Sequence, residues 1–160
     1  MKRPTWTINW VDEMSVGIPE IDNDHKHFVF LIHELNRSIT ELREPSEIKL
    51  RLQVIVNDAV RHFSVEERLF KEWKYPNTEA HENIHTLVLG SLNSMMNDFV
   101  PYGHDSSWID IGLRIKTILM HHIMVDDMVY AEFYRNSLKT KPVSKEDSVS
   151  EAALLEMVKS

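Results

Sequence analysis

Residues His62–His85 read HFSVEERLFKEWKYPNTEAHENIH, and this stretch decides the fold. His62 and Glu66 stand four residues apart, and after a break at Tyr75-Pro76-Asn77 so do His81 and His85. On an α-helix, residues four apart differ by about 40° around the axis and lie one turn apart along it. Each pair can therefore point at one place. Two helices joined by a short turn run antiparallel, so the two pairs can face each other across a shared core. Three imidazoles and a carboxylate at these spacings supply nitrogen and oxygen ligands for a transition metal. The flanks argue against ordinary surface histidines. Val54, His62, Val65 and Leu69 fall on one stripe with Glu66 beside it, and His81, Ile84, His85, Val88, Leu92, Met95 and Phe99 form another. Polar groups set within an apolar face are costly unless paired or metal-bound.

The pattern extends in both directions. Asp22 offers an N-cap for a first helix over about residues 22–42, with the stripe His25, Phe28, Ile32, Leu35, Ile39 and Leu42. Residues 1–21 read as an extended arm. Trp6, Ile8, Trp10, Met14, Val16, Ile18 and Ile21 are its apolar members, and Gly17 and Pro19 act as breakers. Glu44-Pro45-Ser46 ends the first helix and opens a second, over about 46–74. The third is predicted from Thr78 to Phe99. Val100–Asp105 is a loop, and Ser106 or Ser107 caps a fourth helix over about 107–136. Its stripe is Ile111, Ile115, Ile118, Leu119, His122, Val129 and Phe133. Four amphipathic helices with short links predict an all-α, up-down-up-down four-helix bundle over residues 22–136. Residues 137–160 read as a linker containing Pro142, then a short helical pattern over Ser150–Lys159.

Composition narrows the chemistry. A chain of 160 residues suits one domain, and four glycines and six prolines favour helix over sheet. There is no cysteine, which excludes disulfides, thiolate zinc sites and cysteine nucleophiles. Any metal site must use imidazole and carboxylate. The formal net charge of −7 and the lack of a basic patch predict no nucleic-acid partner. No apolar run approaches the ~20 residues needed to span a bilayer, so no membrane association is expected. The opening MKRPTWTINW lacks the apolar run of a secretory signal, and the expected location is the cytoplasm.

Each predicted helix carries a core histidine: His25, His62, His81 with His85, and His122. Glu66 accompanies them, with one of Asp126 or Asp127. Five histidines and two carboxylates exceed the needs of one metal. Two metals sharing two bridging carboxylates would use all seven. With an oxo or hydroxo bridge, the ion with three histidines would be six-coordinate. The ion with two would be five-coordinate, with an open position for a small molecule. Helical geometry favours Asp126, four residues after His122. Asp127 lies five on, about 140° around toward the flank, from which an acid shared by two metals would reach sideways along the core; a π-bulge near Val125 would also bring it onto the face.

The segments GIPEIDNDHKHF, HFSVEERLF, YPNTEAHENIH and HHIMVDDMVY carry a resemblance. Over about residues 10–135 the chain resembles the hemerythrins in their single-domain bacterial form. The resemblance implies reversible dioxygen binding at two iron ions, as a carrier, store or sensor and not as an enzyme. It implies that His81, His85 and His122 bind the six-coordinate iron, His25 and His62 the five-coordinate one, and that Glu66 and Asp127 bridge. The family pattern HIxxxDxxY aligns His122, Ile123, Asp127 and Tyr130 without a gap, which selects Asp127. Phe28, Phe63 and Ile123 match the lining of the family's oxygen pocket. Tyr75 and Tyr130 match tyrosines that orient the ligands. The chain departs from the family at Asp24, usually Gln, and at His33, often Asn. Asp24 would add negative charge near the second iron, and His33 lies two turns beyond His25, too far to ligate. His27, His104 and His121 are expected to be solvated. The competing reading is a ferritin-like di-iron oxidase or peroxidase. That fold uses two ExxH motifs, and this chain has one, Glu82 to His85. A sensor would also need a protein partner, for which residues 137–160 leave a place.

Overall fold

Pro19 and Pro45 each open a helix, because a proline in the first turn wastes no hydrogen-bond donor and its φ is already helical. The computed structural model describes residues 8–99 and 105–140, with the side chains of 105–107 left aside. Its helices are α1 (Pro19–Thr40), α2 (Pro45–Trp73), α3 (Thr78–Asn97), α4 (Asp105–His121) and α5 (Asp127–Thr140). A π-helical turn, His122–Asp126, joins α4 to α5, so the two form one rod. α1 and α3 each pack against α2 and against α4, which gives the expected four-helix bundle. Among the described residues no helix is long and apolar enough to cross a membrane.

The start of α1 differs from the sequence expectation. The helix begins at Pro19, not after Asp22, because Pro19 initiates a helix here and does not break one. Asp22 lies inside the first turn, and its carboxylate accepts hydrogen bonds from Ser15 Oγ (2.6 Å) and Val16 N (2.8 Å). Those bonds, with Gly17 at φ +79°, fold residues 15–18 back against the bundle. The arm is not wholly extended, since Asp12–Met14 is a 3₁₀ turn. Lys26 sits 5.3 Å over the Trp10 ring, and Ile8 and Met14 are buried in the main core.

α1 and α2 end alike. Leu42 (φ 56°) and Lys74 (φ 53°) are left-handed, and the next amide bonds back across the turn, Arg43 N to Ser38 O (3.0 Å) and Tyr75 N to Phe70 O (2.9 Å). Leu42, counted on the α1 stripe, is therefore exposed. The fourth rod begins at Asp105, so Ser106 and Ser107 lie within α4 and do not precede it. It continues through Thr140, so residues 137–140 are its last turn and not linker. The predicted C-terminal helix, Trp6 and His104 lie outside the described residues.

Two apolar clusters fill the bundle. The larger includes Phe28, Ile32, Ile55, Phe63, Val88, Leu92, Leu119 and Ile123. The smaller holds Val16, Ile18, Ile21, Leu69, Phe70, Tyr75, Tyr130 and Ala131. Several polar residues fall in the chain between members of the two clusters: His25 between Ile21 and Phe28, Glu66 between Phe63 and Leu69, Asp127 between Ile123 and Tyr130, and His81 and His85, at the start of α3, between Tyr75 of the preceding turn and Val88. Besides Leu42, two further predicted stripe members are out of place. Val54 is 39 % exposed, because it lies about 80° from His62 around the helix while buried Ile55 lies about 20° away. Val129 is 54 % exposed, because the extra residue of the π turn rotates the face beyond it by about 100°.

Candidate metal centre

The seven residues singled out from the sequence converge between the clusters, each at most 4 % exposed. His62 and Glu66 share a face of α2 at regular helical spacing. His81 and His85 do the same near the start of α3, and His25 arrives from the first turns of α1. His122 and Asp127 come from the two ends of the π turn. The sequence allowed such a turn here, and it brings Asp127 inward, fully buried.

Both carboxylates are divided between two sets of imidazoles. Glu66 Oε1 lies 3.1 Å from His62 Nε2, and Oε2 lies 2.9 Å from His85 Nε2. Asp127 Oδ2 lies 3.1 Å from His25 Nε2, and Oδ1 lies 3.0 Å from His122 Nε2 and 3.1 Å from His81 Nε2. The result is two overlapping ligand groups. One is Glu66, His81, His85, His122 and Asp127; the other is His25, His62, Glu66 and Asp127.

These contacts are short, yet many are not hydrogen bonds. His81 Nε2, His122 Nε2 and both Asp127 oxygens are buried with no partner in hydrogen-bonding geometry. His25 Nε2 and His62 Nε2 face each other at 3.1 Å. Each buried polar atom left unsatisfied costs about 1–3 kcal/mol. Cations held between the groups would satisfy all of them, and a donor set of imidazole and carboxylate without thiolate suits iron. The residues present therefore fit a pair of metal ions.

Three imidazoles are fixed from behind. His62 Nδ1 donates to Asp24 Oδ2 (2.9 Å), His85 Nδ1 to Glu67 Oε1 (2.9 Å) and His122 Nδ1 to Asp126 Oδ2 (3.2 Å). An ionised carboxylate only accepts, so the proton sits on Nδ1 and Nε2 is left for the centre. Tyr130 Oη donates to Glu66 Oε1 at 2.5 Å. Tyr75 makes no hydrogen bond to the seven among the described residues; its ring rests on Phe70 and Phe133. Sequence reasoning missed Glu67 altogether. Its only signal in the sequence is a second acid directly after Glu66. Asp126, the acid that helical spacing alone favours, bonds His122 from behind. His33 and His27 are exposed, as is His121.

The pocket's charge favours cations. Burial pulls the imidazoles' pKa values down, but the carboxylates outweigh it. Beside Glu66 and Asp24, His62 rises to about 9; beside Asp127 and Glu66, His81 rises to about 9 and His122 to about 10. Burial pushes Glu66 up, and the surrounding imidazoles, His62 foremost, still hold it well below the carboxylate range. Burial and the Glu66 charge push Asp127 up, yet His122 and His25 bring it below its ordinary value. Asp24, raised by burial, is brought down to about 2 by His62 and Arg61. Burial and the nearby carboxylates raise the Tyr130 hydroxyl well above its ordinary value, so it stays a donor. Metal binding must expel protons from such imidazoles.

The apolar side is close by. The Phe63 ring stacks on His85 at 3.9 Å and stands 5.0 Å from His122; Phe28 meets His62 edge-on at 5.4 Å. Ile123 is 2 % exposed and follows His122 directly.

Residues 16–134 match the family model described as the hemerythrin HHE cation binding domain. The bacteriohemerythrin of Pseudomonas aeruginosa (strain LESB58) is 29 % identical over 133 residues, covering 81 % of this chain and 82 % of the relative. That of Stenotrophomonas maltophilia (strain R551-3) is 26 % identical over 123 residues, covering 77 % of this chain and 78 % of the relative. The matched residues span all four helices and every residue that converges between the clusters, and the chain belongs to the hemerythrin family.

Proposed function

We propose that this protein binds dioxygen reversibly at a non-haem di-iron centre, as an oxygen carrier, store or sensor and not as an enzyme. His81, His85 and His122 would hold one iron and His25 and His62 the other, with Glu66 and Asp127 shared. The observation that carries the reading is the division of both carboxylates between two imidazole sets. A single ion would need no such division. When bound, a reduced iron pair would supply electrons and one open coordination position, on the side with fewer imidazoles.

The chain's own part is to hold and to exclude. Asp24, Glu67 and Asp126 keep three Nε2 atoms aimed inward, and Tyr130 holds Glu66. Phe28, Phe63 and Ile123 deny the open side water and protons, which favours release of dioxygen unchanged over irreversible oxidation of the iron. Glu82, the acid of the lone ExxH motif, is outside both ligand groups, so the carboxylate-rich pattern of the ferritin-like oxidases is not assembled. The relatives' name, bacteriohemerythrin, supports the same reading.

The test is an anaerobically reduced sample exposed to oxygen, followed by optical spectroscopy and iron analysis. Two irons per chain and an absorption band that comes and goes with oxygen are expected. One metal per chain, zinc alone, or irreversible bleaching would overturn the reading.

A further inference from the structure

Asp24 precedes the ligand His25, and Arg61 precedes the ligand His62. While the imidazoles point inward, these two charged residues meet on the outer side of the α1–α2 seam. Arg61 Nη2 donates to Asp24 Oδ1 at 2.9 Å and Nη1 to Oδ2 at 3.4 Å. The same Oδ2 accepts the His62 Nδ1 proton at 2.9 Å. One turn back, Asp58 Oδ1 accepts from Arg61 Nε (3.2 Å) and Nη2 (3.1 Å) and anchors the guanidinium. The result is a chain of polar contacts from a half-exposed arginine to a buried imidazole.

The other two fixed imidazoles lack this feature. Among the described residues, neither Glu67 nor Asp126 has a lysine or arginine at ion-pair distance; each faces histidine alone. The guanidinium therefore marks the two-imidazole side, where the open position falls in the reading above.

We propose that Arg61 is a positioning residue that moderates the pull of Asp24 on His62 and so sets the redox potential of the iron held on the His25–His62 side; the inference rests on the di-iron reading. A carboxylate that accepts the Nδ1 proton gives the imidazole more anionic character and makes Nε2 a stronger donor. A stronger donor stabilises the ferric state and lowers the potential. A guanidinium on the same carboxylate draws its charge the other way. The two residues thus act with opposite sign through one hydrogen bond. Both have arginine's planar fork and aspartate's fixed reach to thank for this geometry, which a lysine reproduces only as a point charge.

The experiment compares Arg61→Gln, Arg61→Lys and Asp24→Asn with the unaltered protein. The midpoint potential of the iron-loaded protein should fall in Arg61→Gln and rise in Asp24→Asn, with Arg61→Lys between Arg61→Gln and the unaltered protein. Oxidation of the reduced iron pair by dioxygen should be several-fold faster in Arg61→Gln and slower in Asp24→Asn. A purely structural role would move both variants the same way. In metal-free protein, the His62 Nδ1 proton followed by NMR should show a stronger hydrogen bond in Arg61→Gln and a weaker one in Asp24→Asn. Shifts of the same sign, or no shift in Arg61→Gln, would overturn the inference. The NMR arm needs no iron, so its failure counts against the Arg61 link alone, whereas a wrong iron count counts against the di-iron reading.

Discussion

α2 and the α4–α5 rod each bring one histidine and one carboxylate to the same centre, and they do it differently. On α2 the pair is His62 and Glu66, four residues apart on a regular helix. On the rod it is His122 and Asp127, five apart across a π turn. The extra residue has a use. It sends Asp127 inward while leaving Asp126 beside His122 Nδ1, so consecutive aspartates serve the two sides of one imidazole. α2 has no such turn, and the Nδ1 of His62 is served from another helix by Asp24. A regular helix needs a neighbour to orient its histidine; the π turn makes the rod self-sufficient.

The strongest way to break this comparison is to remove each aspartate in turn. Asp127→Ala should lose iron or the oxygen-dependent spectrum. Asp126→Ala should keep both as purified, while yielding iron faster to a chelator, in line with the roughly 10–100-fold affinity loss typical of an orienting partner. Iron analysis and absorption spectra decide. The reverse pattern would make Asp126 the shared acid and the rod an ordinary helix.

Deleting Val125, an exposed residue of the π turn, should convert the rod to the spacing of α2. His122 and Asp127 would then stand four apart, and everything beyond the deletion would keep its face. Circular dichroism should show the helix content retained, and metal titration should show weakened binding because Asp126 is carried away from His122. Loss of the fold would mean that the turn shapes the bundle and not only the site.

Phe63 and Ile123 directly follow His62 and His122 and close the same apolar side. Phe63→Tyr and Ile123→Thr should each speed autoxidation several-fold and leave iron content near normal, as read by the decay of the oxygen-bound spectrum. Unchanged rates in both would put the oxygen pocket elsewhere. The smallest effect is expected from Tyr130→Phe, which leaves Glu66 Oε1 short of a hydrogen bond. Chemical denaturation of the metal-free protein should show a loss of about 1–3 kcal/mol. No loss would mean that the Tyr130 hydroxyl does not support α2's carboxylate.

Much of the bundle was legible in the chain. The stripes of α1 and α3 are locally periodic, and Pro45 and the Tyr75-Pro76-Asn77 break mark real turns. The errors have local causes. Pro19 has the chemistry of a breaker and of a helix start, and the structure makes it a start; Val129 falls on the core stripe only when the period is counted without the π turn. The convergence of the seven residues was legible too, since imidazoles and carboxylates inside apolar stripes need partners. Regular spacing alone points to Asp126, and it is the π turn that brings Asp127 inward. Glu67 and Arg61 were invisible for a different reason: the partners that give them meaning, His85 and Asp24, sit on other helices.

The sequence by itself determined which residue types could meet and which helix would carry each, because a face on a helix depends only on spacing within that helix. It also determined that no thiolate would take part. Only the tertiary structure decided that Glu66 and Asp127 each turn one oxygen to either set of imidazoles, and that Asp24 joins Arg61 to His62. Those contacts depend on how neighbouring helices are rotated and offset against one another, and the packing of two apolar clusters on either side sets both.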